Sequence, residues 1–463
     1  MPAAMREGGR LVVVGGVAAG MSAASRARRL RPDVEIVVLE KGQDVSYGAC
    51  ETPYYIAGVI DARERLIRYD AEFFRRERKI DVRLGAEAVE LRPGRKSVAS
   101  RAEGAQEVLD YDALVLATGA VPVRLPLPGT DLPGVLFLRT LSDADAIKRA
   151  IDGGGVERVA ILGAGYIGLE MAEAFSARGV VVTVLELLPS VLSTYDPDVS
   201  EIVERELLDQ GVILRKETRV EGFEPASGID RVGYVLANGQ RIPTDAVLVS
   251  AGVKPATALA ESAGIELGAT GAVRVDARQV TSDPSVLAAG DCCEALHVVT
   301  GKPAWVPLGT TANKQGRIAG ENAVGGNAKF GGIAGTNTTK IFGLEVAQTG
   351  LSSAAARNAG LPVASVKIAG YSRSHPYPGG SPITVKLIFD AGSGRVLGAQ
   401  MVGREGAAKR IDTVATAIHA RMSVADLAGV DMSYAPPFAP VWDPVLIAAN
   451  QAVKRVGRSP GSV

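Results

Sequence analysis

Residues Val159–Glu170 read VAILGAGYIGLE, an apolar run that leads into a glycine-rich turn. The run predicts a strand, the residues after the turn predict a helix, and the turn contains Gly163, Gly165 and Gly168. Glycines at this spacing let the backbone approach a pyrophosphate, to which the first turn of the helix offers N–H donors. The next predicted strand ends at Glu186, a carboxylate that can bond both hydroxyls of an unphosphorylated ribose and repel a 2′-phosphate. The stretch therefore predicts a dinucleotide site that favours NADH over NADPH.

The N-terminal stretch Arg10–Gly20, RLVVVGGVAAG, repeats this pattern. A short β-branched run reaches Gly15 and Gly20, MSAASRARRL follows as a predicted helix, and the next predicted strand ends at Glu40. Val17 replaces the middle glycine, so this copy alone is the weaker match, and the alternative is that one copy binds no dinucleotide. Because the acid is intact in both copies, we expect two bound dinucleotides, a flavin nucleotide and a nicotinamide nucleotide.

The composition excludes several classes of protein. A chain of 463 residues with 47% hydrophobic residues is globular and long enough for roughly two to four domains. Its 51 Lys and Arg residues balance 51 Asp and Glu residues, so no net charge draws it to nucleic acid or to an anionic membrane. The apolar runs are too short to span a bilayer, and the N-terminus lacks the pattern of a signal peptide. We therefore predict a cytoplasmic protein with no nucleic-acid or membrane partner.

The cysteines and histidines predict neither a disulfide framework nor a metal site. Three cysteines, of which Cys292 and Cys293 are adjacent, are too few for such a framework, and the three histidines show no ligand spacing. We expect Cys292 and Cys293 to be packing residues. Cys50 differs, because it precedes a predicted helix start with Pro53 in the first turn. Such surroundings favour a reactive thiolate, although the carboxylate of Glu51 opposes it.

Three further segments make the resemblance to a known family specific. YDALVLATGAVP ends a predicted strand at Thr118 and Gly119, DAVLVSAGVKP contains Gly252, and TSDPSVLAAGD ends at Asp291. In this order, together with the two glycine turns, they resemble the flavin-dependent pyridine nucleotide-disulfide oxidoreductases over nearly the whole chain. The resemblance implies FAD and NADH or NADPH as cofactors, with Asp291 holding the ribitol and pyrophosphate region of FAD. It also implies that a helix begins directly after Asp291, beneath the flavin.

The resemblance further implies the fold class. This class is α/β, with two Rossmann-like (glutathione-reductase-like) dinucleotide-binding domains, the NADH domain being inserted in the FAD domain. A C-terminal α+β dimerisation domain follows, which implies a homodimer. The predicted boundaries are 1–120 and 253–330 for the FAD-binding domain, 121–252 for the NAD(P)H-binding domain, 331–455 for the dimerisation domain and 456–463 for a tail.

The stretch VSYGACETPYY, residues 45–55, indicates the subgroup. Two-cysteine members of the family carry Cys-x4-Cys, whereas this chain has Tyr55 where the second thiol would stand. This pattern, with the C-terminal DMSYAPPFAPVWDPVLIAANQA, resembles the coenzyme A disulfide reductases and their NADH oxidase and persulfide reductase relatives. The resemblance implies two catalytic residues, Cys50 and Tyr434, and the tyrosine reaches the active site of the partner subunit.

The resemblance to coenzyme A disulfide reductases also implies a set of substrate-binding residues. The arginines of SRARRLRP are suited to phosphate binding, and the alternative is a solvated helix face. The chain departs from the family pattern at Pro376, which replaces one member of a frequent tyrosine pair. The implied substrate-binding residues are Ser22, Arg26, Arg29, Ser46, Asn313 and Tyr377.

Without a resolving cysteine, the oxidised form of Cys50 must hold an external sulfur or become a sulfenic acid. We therefore predict an FAD-dependent NAD(P)H oxidoreductase in which hydride passes to FAD and electrons pass to a mixed disulfide of Cys50. Its predicted substrate is coenzyme A disulfide, or coenzyme A persulfide and polysulfide. One alternative is an NADH oxidase that reduces oxygen. An alternative of another class is a non-catalytic NADH-sensing flavoprotein.

Overall fold

The computed structural model describes residues 5–228 and 230–457. Its first sheet has five parallel strands, and their β-branched and apolar runs are almost wholly buried, as expected for a parallel sheet covered on both faces. The helix predicted after the first glycine turn is confirmed as Ala18–Leu30. The strands, in order across the sheet, are Val286–Ala288, Ala113–Leu116, Arg10–Val14, Glu35–Glu40 and Asp81–Leu84.

A second five-stranded parallel sheet repeats this architecture later in the chain. Helix Tyr166–Ala177 follows its central strand, as the glycine motif predicts. The strands, in order across the sheet, are Ile213–Arg215, Val181–Leu185, Arg158–Leu162, Ala246–Val249 and Val135–Leu136. A three-stranded antiparallel sheet accompanies each parallel sheet: Glu87–Arg92, Ser97–Ala102 and Ala105–Asp110 with the first, and Val220–Pro225, Val232–Ala237 and Gln240–Pro243 with the second.

The chain leaves the first parallel sheet, builds the second and then returns to the first. Ala113–Leu116 is the last strand before the excursion, and Val286–Ala288 pairs with it in parallel on the return. The outgoing strand Ala120–Pro122 and the incoming strand Val253–Pro255 pair with each other in an antiparallel manner. The predicted insertion of one dinucleotide-binding unit into another is therefore confirmed.

A third sheet of five antiparallel strands forms the C-terminal part of the described chain. Helices Ala407–His419 and Pro444–Val453 pack on it through buried apolar side chains. This mixture of helices and antiparallel strands confirms the predicted α+β region. The strands, in order across the sheet, are Asn337–Ile341, Leu344–Gly350, Val396–Gly403, Pro382–Asp390 and Val363–Tyr371.

The expectation of a helix directly after Asp291 is wrong. Cys293 instead forms an isolated β-bridge with Val273. The N–H of Val273 donates to the carbonyl of Cys292, and the carbonyl of Val273 accepts from the N–H of Glu294. These pairings engage the backbone groups that a helix would use. The next helix is Gly309–Ala323, which packs closely along Ala18–Leu30.

The remaining helices connect the sheets, and the longest of them, Pro197–Asp209, has 13 residues. Among the described residues, no helix combines the length and the apolar character that crossing a bilayer requires. The other α-helices are Thr52–Ile56, Ala71–Arg78, Leu141–Asp152, Pro197–Asp209, Ala258–Ser262, Ser353–Asn358 and Val424–Ala428. Three 3-10 helices span Ala49–Glu51, Arg63–Leu66 and Pro93–Arg95, and Ala295–Leu296 pairs with Pro303–Ala304.

Candidate active site

The first glycine turn is shaped by close backbone contacts. Gly15 has φ +106°, and a Cβ there would lie 2.2 Å from the carbonyl oxygen of Ala117. A Cβ at Gly20 would lie 1.8 Å from the carbonyl oxygen of Gly15. Both glycines are therefore needed to bring the strand, the turn and the helix together.

In the second glycine turn, two glycines are required by packing and a third leaves open space for a ligand. Gly163 has φ +101°, and a Cβ there would lie 2.3 Å from the carbonyl oxygen of Ser250. A Cβ at Gly168 would lie 2.1 Å from the carbonyl oxygen of Gly163. At Gly165, by contrast, a Cβ would have no heavy atom of the described residues within 4 Å. Packing does not require glycine at 165, and the open backbone there fits the close approach of a pyrophosphate.

The two predicted ribose-binding acids have the same geometry. Glu40 accepts hydrogen bonds from the N–H groups of Gly16 (2.6 Å) and Gly42 (2.7 Å). Glu186 accepts hydrogen bonds from the N–H groups of Ala164 (2.7 Å) and Leu188 (2.8 Å). Each carboxylate thus lies at the end of its strand against its own glycine turn, where the residues present fit the ribose of a dinucleotide.

Thr118, Gly119 and Gly252 lie where the chain crosses between the two parallel sheets. The Thr118 hydroxyl donates to the carbonyl of Ala256 (2.7 Å), and the Ala256 N–H donates to the carbonyl of Gly119 (3.0 Å). The carbonyl of Gly252 accepts from the Val123 N–H (3.0 Å). These residues therefore tie the outgoing and incoming strands to each other.

Cys50 lies on the 3-10 helix Ala49–Glu51, directly before helix Thr52–Ile56. Pro53 occupies the first turn of that helix, as predicted, and the Thr52 hydroxyl donates to the Ala49 carbonyl (2.8 Å). All three cysteines of the chain are free thiols, and Cys50 alone among them is exposed. The thiol that the sequence singles out is therefore the accessible one.

Loss of water around the thiol, followed by neighbouring charges, shifts the pKa of Cys50. The protein around the thiol displaces enough water to raise its pKa, and the carboxylates of Glu170 and Asp291 raise the pKa further. The guanidinium of Arg139 lowers this pKa, and Glu51 adds a smaller increase. The Cys50 site thus brings together residues from the first unit, the glycine-turn helix of the second unit and the returning segment.

Arg139 and Glu170 are functional candidates that the sequence interpretation missed. An Nη atom of Arg139 lies 3.5 Å from the Asp291 carboxylate, while burial raises the pKa of Asp291. Burial also raises the pKa of Glu170, whose carboxylate accepts from the Thr339 hydroxyl (2.6 Å). Glu170 is the last residue of the quoted glycine motif, so its position was a usable signal. Arg139 lies outside every motif in the sequence.

Tyr55, which stands where the second thiol would be, holds its helix in position. Its ring is buried, and its hydroxyl donates to the Asp145 carboxylate (3.1 Å). Arg63 donates to the same carboxylate (2.8 Å) and to Asp44 (2.6 Å). Tyr55 therefore anchors its helix to Leu141–Asp152.

Several predicted coenzyme A contacts lie along the seam between Ala18–Leu30 and Gly309–Ala323. The Ser22 hydroxyl donates to the Asn313 side chain (2.7 Å). Arg26 forms an ion pair with Glu321 (2.5 Å), and exposed Arg29 donates to the carbonyl of Ser25. Beside Arg26 the seam has an open depression of about 440 Å³, which is lined by Arg26, Lys314, Arg317, Ile318, Glu321, Phe330, Gly331 and Gly332.

The other two arginines of the run have structural partners. Arg28 donates to the carbonyls of Pro32, Arg78 and Lys79. Arg31 pairs with Asp33 (2.6 Å). All four arginines of the run therefore bind groups of the protein itself, and Arg29 alone among them is exposed, so the solvated-face alternative is incomplete.

Ser46 lies at the edge of the first glycine turn. It has φ +51°, and its N–H donates to the carbonyl of Gly16 (3.0 Å). Its own carbonyl accepts from the Arg68 N–H (2.9 Å). Ser46 thus holds the Cys50 loop against the turn.

The predicted Tyr434 and Tyr377 lie in the C-terminal part of the chain. Tyr434 belongs to residues 431–442, here called the C-terminal segment, which has no helix or strand. Its side chains are open to solvent, with exposed fractions of 49% for Tyr434, 78% for Phe438 and 61% for Trp442. Tyr377 is exposed on residues 372–381, here called the Tyr377 loop. Within one chain, neither tyrosine is among the groups that act on Cys50.

Cys292 and Cys293 are buried, which confirms the prediction that they pack. Their thiols donate to the carbonyls of Leu116 and Gly290, each at 3.4 Å. Within the described part of the chain, no three His, Cys, Asp or Glu side chains are grouped so that they could hold a metal ion.

Comparisons with known proteins agree over almost the whole chain. Residues 9–316 match the family described as pyridine nucleotide-disulphide oxidoreductase, and residues 336–444 match its dimerisation domain. The NAD(P)H sulfur oxidoreductase (CoA-dependent) of Pyrococcus furiosus is 40% identical over 442 residues, covering 95% of this chain and 98% of the relative. An NADH oxidase of Methanocaldococcus jannaschii is 37% identical over 449 residues, covering 96% and 99%. The structure of an NAD-dependent persulfide reductase from A. fulgidus has a TM-score of 0.93 and 41% identity, covering 96% of this chain and 83% of that one.

Proposed function

Because this chain belongs to the pyridine nucleotide-disulphide oxidoreductase family, we propose that it is an FAD-dependent NAD(P)H oxidoreductase acting on coenzyme A disulfide, or on coenzyme A persulfide and polysulfide. The observation that carries the proposal is the single accessible thiol of Cys50. The place of a second thiol is taken by Tyr55, which is anchored to Asp145. The sulfur that pairs with Cys50 must therefore come from a substrate.

Bound FAD and NAD(P)H supply hydride and electron-pair chemistry beside the thiol. The Cys50 thiolate attacks one sulfur of a substrate disulfide, the sulfur–sulfur bond breaks, and one thiolate leaves and takes up a proton. The product on the protein is a mixed disulfide of Cys50. Two electrons and a proton then release the second thiol and restore the Cys50 thiolate. With a persulfide substrate, the sulfur that remains on Cys50 leaves as sulfide in the same reductive step.

Substrate binding is assigned to the seam beside the first glycine turn. Ser22, Asn313 and Arg26 lie along it, and the adjacent Lys314 and Arg317 add two cations. Such a surface suits the phosphates of coenzyme A, because cations form the strongest hydrogen bonds to them. Arg26 is already paired with Glu321, so phosphate binding there competes with that carboxylate.

We propose a homodimer in which Tyr434 of each chain acts at the Cys50 site of the other. The match of residues 336–444 to a dimerisation domain supports this arrangement, as does the exposure of the aromatic side chains on the C-terminal segment. Tyr434 is then placed to give a proton to the leaving thiolate. The domain boundaries near residues 120, 252 and 330, the preference for NADH through Glu186, and a cytoplasmic location belong to the same proposal.

Anaerobic oxidation of NADH tests this function. The purified flavoprotein is supplied with coenzyme A disulfide or polysulfide as the sole acceptor, and the Cys50→Ser variant is compared with it. We expect turnover in the wild type and a fall of at least about a thousandfold in the variant, because the nucleophile is lost. Reduction of the flavin by NADH should persist in the variant.

Cys293→Ala is the matched control, because it removes a cysteine that is buried in the core and not accessible to a substrate. Its flavin content and turnover should match those of the wild type. Turnover that survives in Cys50→Ser would refute the thiol-dependent function.

Reduction of oxygen is the second candidate, and the similarity to an NADH oxidase favours it. Both candidates use the same cofactors and the same thiol, so the acceptor distinguishes them. NADH oxidation in air that greatly exceeds the anaerobic rate with every disulfide and polysulfide would identify an oxidase. Flavin reduction without turnover on any acceptor would instead favour the NADH-sensing alternative.

A further inference from the structure

A buried arginine connects the C-terminal segment to the Tyr377 loop. Arg410 lies on helix Ala407–His419, and its Nε donates to the carboxylate of Asp443 (2.7 Å). One Nη of the same guanidinium donates to the carbonyl oxygens of Ser372 (2.9 Å) and Phe438 (3.1 Å). The first carbonyl begins the Tyr377 loop, and the second belongs to the C-terminal segment. A rigid, planar guanidinium therefore fixes the distance between these two parts of the chain.

The C-terminal segment depends on such bonds for its position. It has no helix or strand, and the exposed side chains of Tyr434, Phe438 and Trp442 contribute little packing within the chain. Besides the bond from Arg410, the carbonyl of Pro436 accepts from the N–H of Ser374 in the Tyr377 loop (3.1 Å). The hydrogen bonds to the carbonyls of Pro436 and Phe438 hold this turn of the C-terminal segment against the Tyr377 loop.

The residues around Arg410 are arranged to keep the guanidinium in place. A Cβ at Gly406 would lie 2.1 Å from an Nη atom of Arg410, and Gly406 has φ +81°. Asp443 also caps the last helix, because its carboxylate accepts from the Val445 N–H (2.9 Å). The side chains of Arg410 and Asp443 are only 10% and 6% exposed, so their ion pair is largely shielded from water.

We propose that Arg410 is a positioning residue for Tyr434. By holding the C-terminal segment to the Tyr377 loop, it places Tyr434 and Tyr377 at a fixed separation on the surface that meets the second chain. This inference rests on the proposed function, in which Tyr434 acts at the Cys50 site of the partner. It assigns Arg410 no contact with the substrate.

Kinetics of the Arg410→Lys holoenzyme test the inference. Lysine keeps the charge beside Asp443 but lacks the planar group in which Nε binds Asp443 while an Nη reaches both carbonyls. We expect kcat for disulfide reduction to fall roughly 10- to 100-fold, because small displacements of a catalytic group are costly, while the KM for NADH stays unchanged. Asp443→Asn is a second variant that keeps an acceptor for the helix cap and removes the ion pair, and it should lower kcat in the same way.

A double variant distinguishes positioning from general damage. If Arg410 acts through Tyr434, adding Arg410→Lys to Tyr434→Phe should lower kcat by less than about twofold further, because the two effects are coupled. An equal fold-loss in both backgrounds would overturn the inference, as would an unaltered kcat in Arg410→Lys or in Tyr434→Phe. Arg404→Lys is the matched control, because Arg404 pairs with Glu206 and should leave kcat unchanged.

Hydrogen exchange gives a readout that does not need turnover. The Ser374 amide donates to Pro436, so it should exchange faster in Arg410→Lys than in the wild type or in Arg404→Lys. If no disulfide or polysulfide supports turnover in the wild type, the proposed function fails, and the exchange rates still test the positioning. Unchanged exchange at Ser374 would refute it.

Discussion

At the scale of single residues, the reactivity of Cys50 depends on the loss of water around its thiol and on charges from distant parts of the chain. Burial and the carboxylates of Glu170 and Asp291 raise the pKa of the thiol, so the thiolate is lost as the pH falls below that raised value. Alkylation by iodoacetamide requires the thiolate and should follow the same pH dependence. Glu170→Gln removes one negative neighbour, and we expect it to move the midpoint of Cys50 alkylation to lower pH, as measured by mass spectrometry.

Glu173→Gln is the control for this measurement. Glu173 lies one turn along the same helix and is not among the main groups that act on Cys50, so its variant should keep the wild-type midpoint. The same shift in both variants would mean that Glu170 has no specific role. A midpoint that moves to higher pH in Glu170→Gln would contradict the electrostatic explanation.

Sequence alone identified Cys50 and the opposing carboxylate of Glu51, but it did not identify Glu170 or Arg139 as electrostatic neighbours of the thiol. Cys50 stands in a local pattern, with Tyr55 five positions later and Pro53 between them. Arg139 reaches Asp291 only because the chain crosses between two sheets before helix Leu141–Asp152. A contact between residues so far apart in sequence leaves no periodicity to recognise.

At the scale of elements, two glycines of the second turn have different roles: Gly163 is required by packing, and Gly165 leaves room for the dinucleotide. A Cβ at Gly163 would lie 2.3 Å from the Ser250 carbonyl, whereas one at Gly165 meets open space in the described structure. Gly163→Ala should lower the free energy of unfolding by roughly 1–3 kcal/mol, because it combines overpacking with a positive φ. Gly165→Ala should leave stability unchanged and raise the KM for NADH roughly tenfold or more, because the methyl group obstructs the pyrophosphate.

Urea unfolding and steady-state kinetics on the two variants check this division. Gly165→Ala unfolding at lower urea than the wild type would show that packing also requires this glycine. An unchanged KM for NADH in Gly165→Ala would mean that the dinucleotide does not cross the backbone there.

The contrast between the glycine turns and the segment after Asp291 shows which elements a sequence can predict. Strand, turn and helix follow one another within about twenty residues, so their signals are local and both turns were predicted correctly. The segment after Asp291 instead pairs with Val273, and this distant partner replaced the expected helix. Tertiary hydrogen bonds overrode the local expectation at that point.

At the scale of the whole molecule, carboxylates join the second dinucleotide-binding unit to the C-terminal sheet. Balanced composition gave no sign of this, because it counts charges without saying which ones meet. Glu170 accepts from the Thr339 hydroxyl, and Glu173 accepts from the Phe342 N–H. Asp196 accepts from the N–H and the hydroxyl of Ser353, and Glu206 accepts from the Gly343 N–H.

Asp196 also takes part in a deeply buried ion pair with Lys386 of the C-terminal sheet, which gives a test of how firmly the two units are joined. The ammonium group of Lys386, whose side chain is 11% exposed, pairs with Asp198 (2.6 Å) and with the carboxylate of Asp196 (2.8 Å), whose side chain is 3% exposed. Lys386→Met would leave that carboxylate without its cation, so the free energy of unfolding should fall by about 3–5 kcal/mol. Lys340→Met is the control: its ammonium group pairs with Glu173 at 53% exposure, so the loss should stay below about 1 kcal/mol. Equal losses in urea unfolding of the two variants would show that the buried pair does not hold the units together. A larger loss in Lys386→Met would show that this ion pair holds the C-terminal sheet to the second unit, and a raised KM for NADH in the same variant would show that the NADH site depends on that junction.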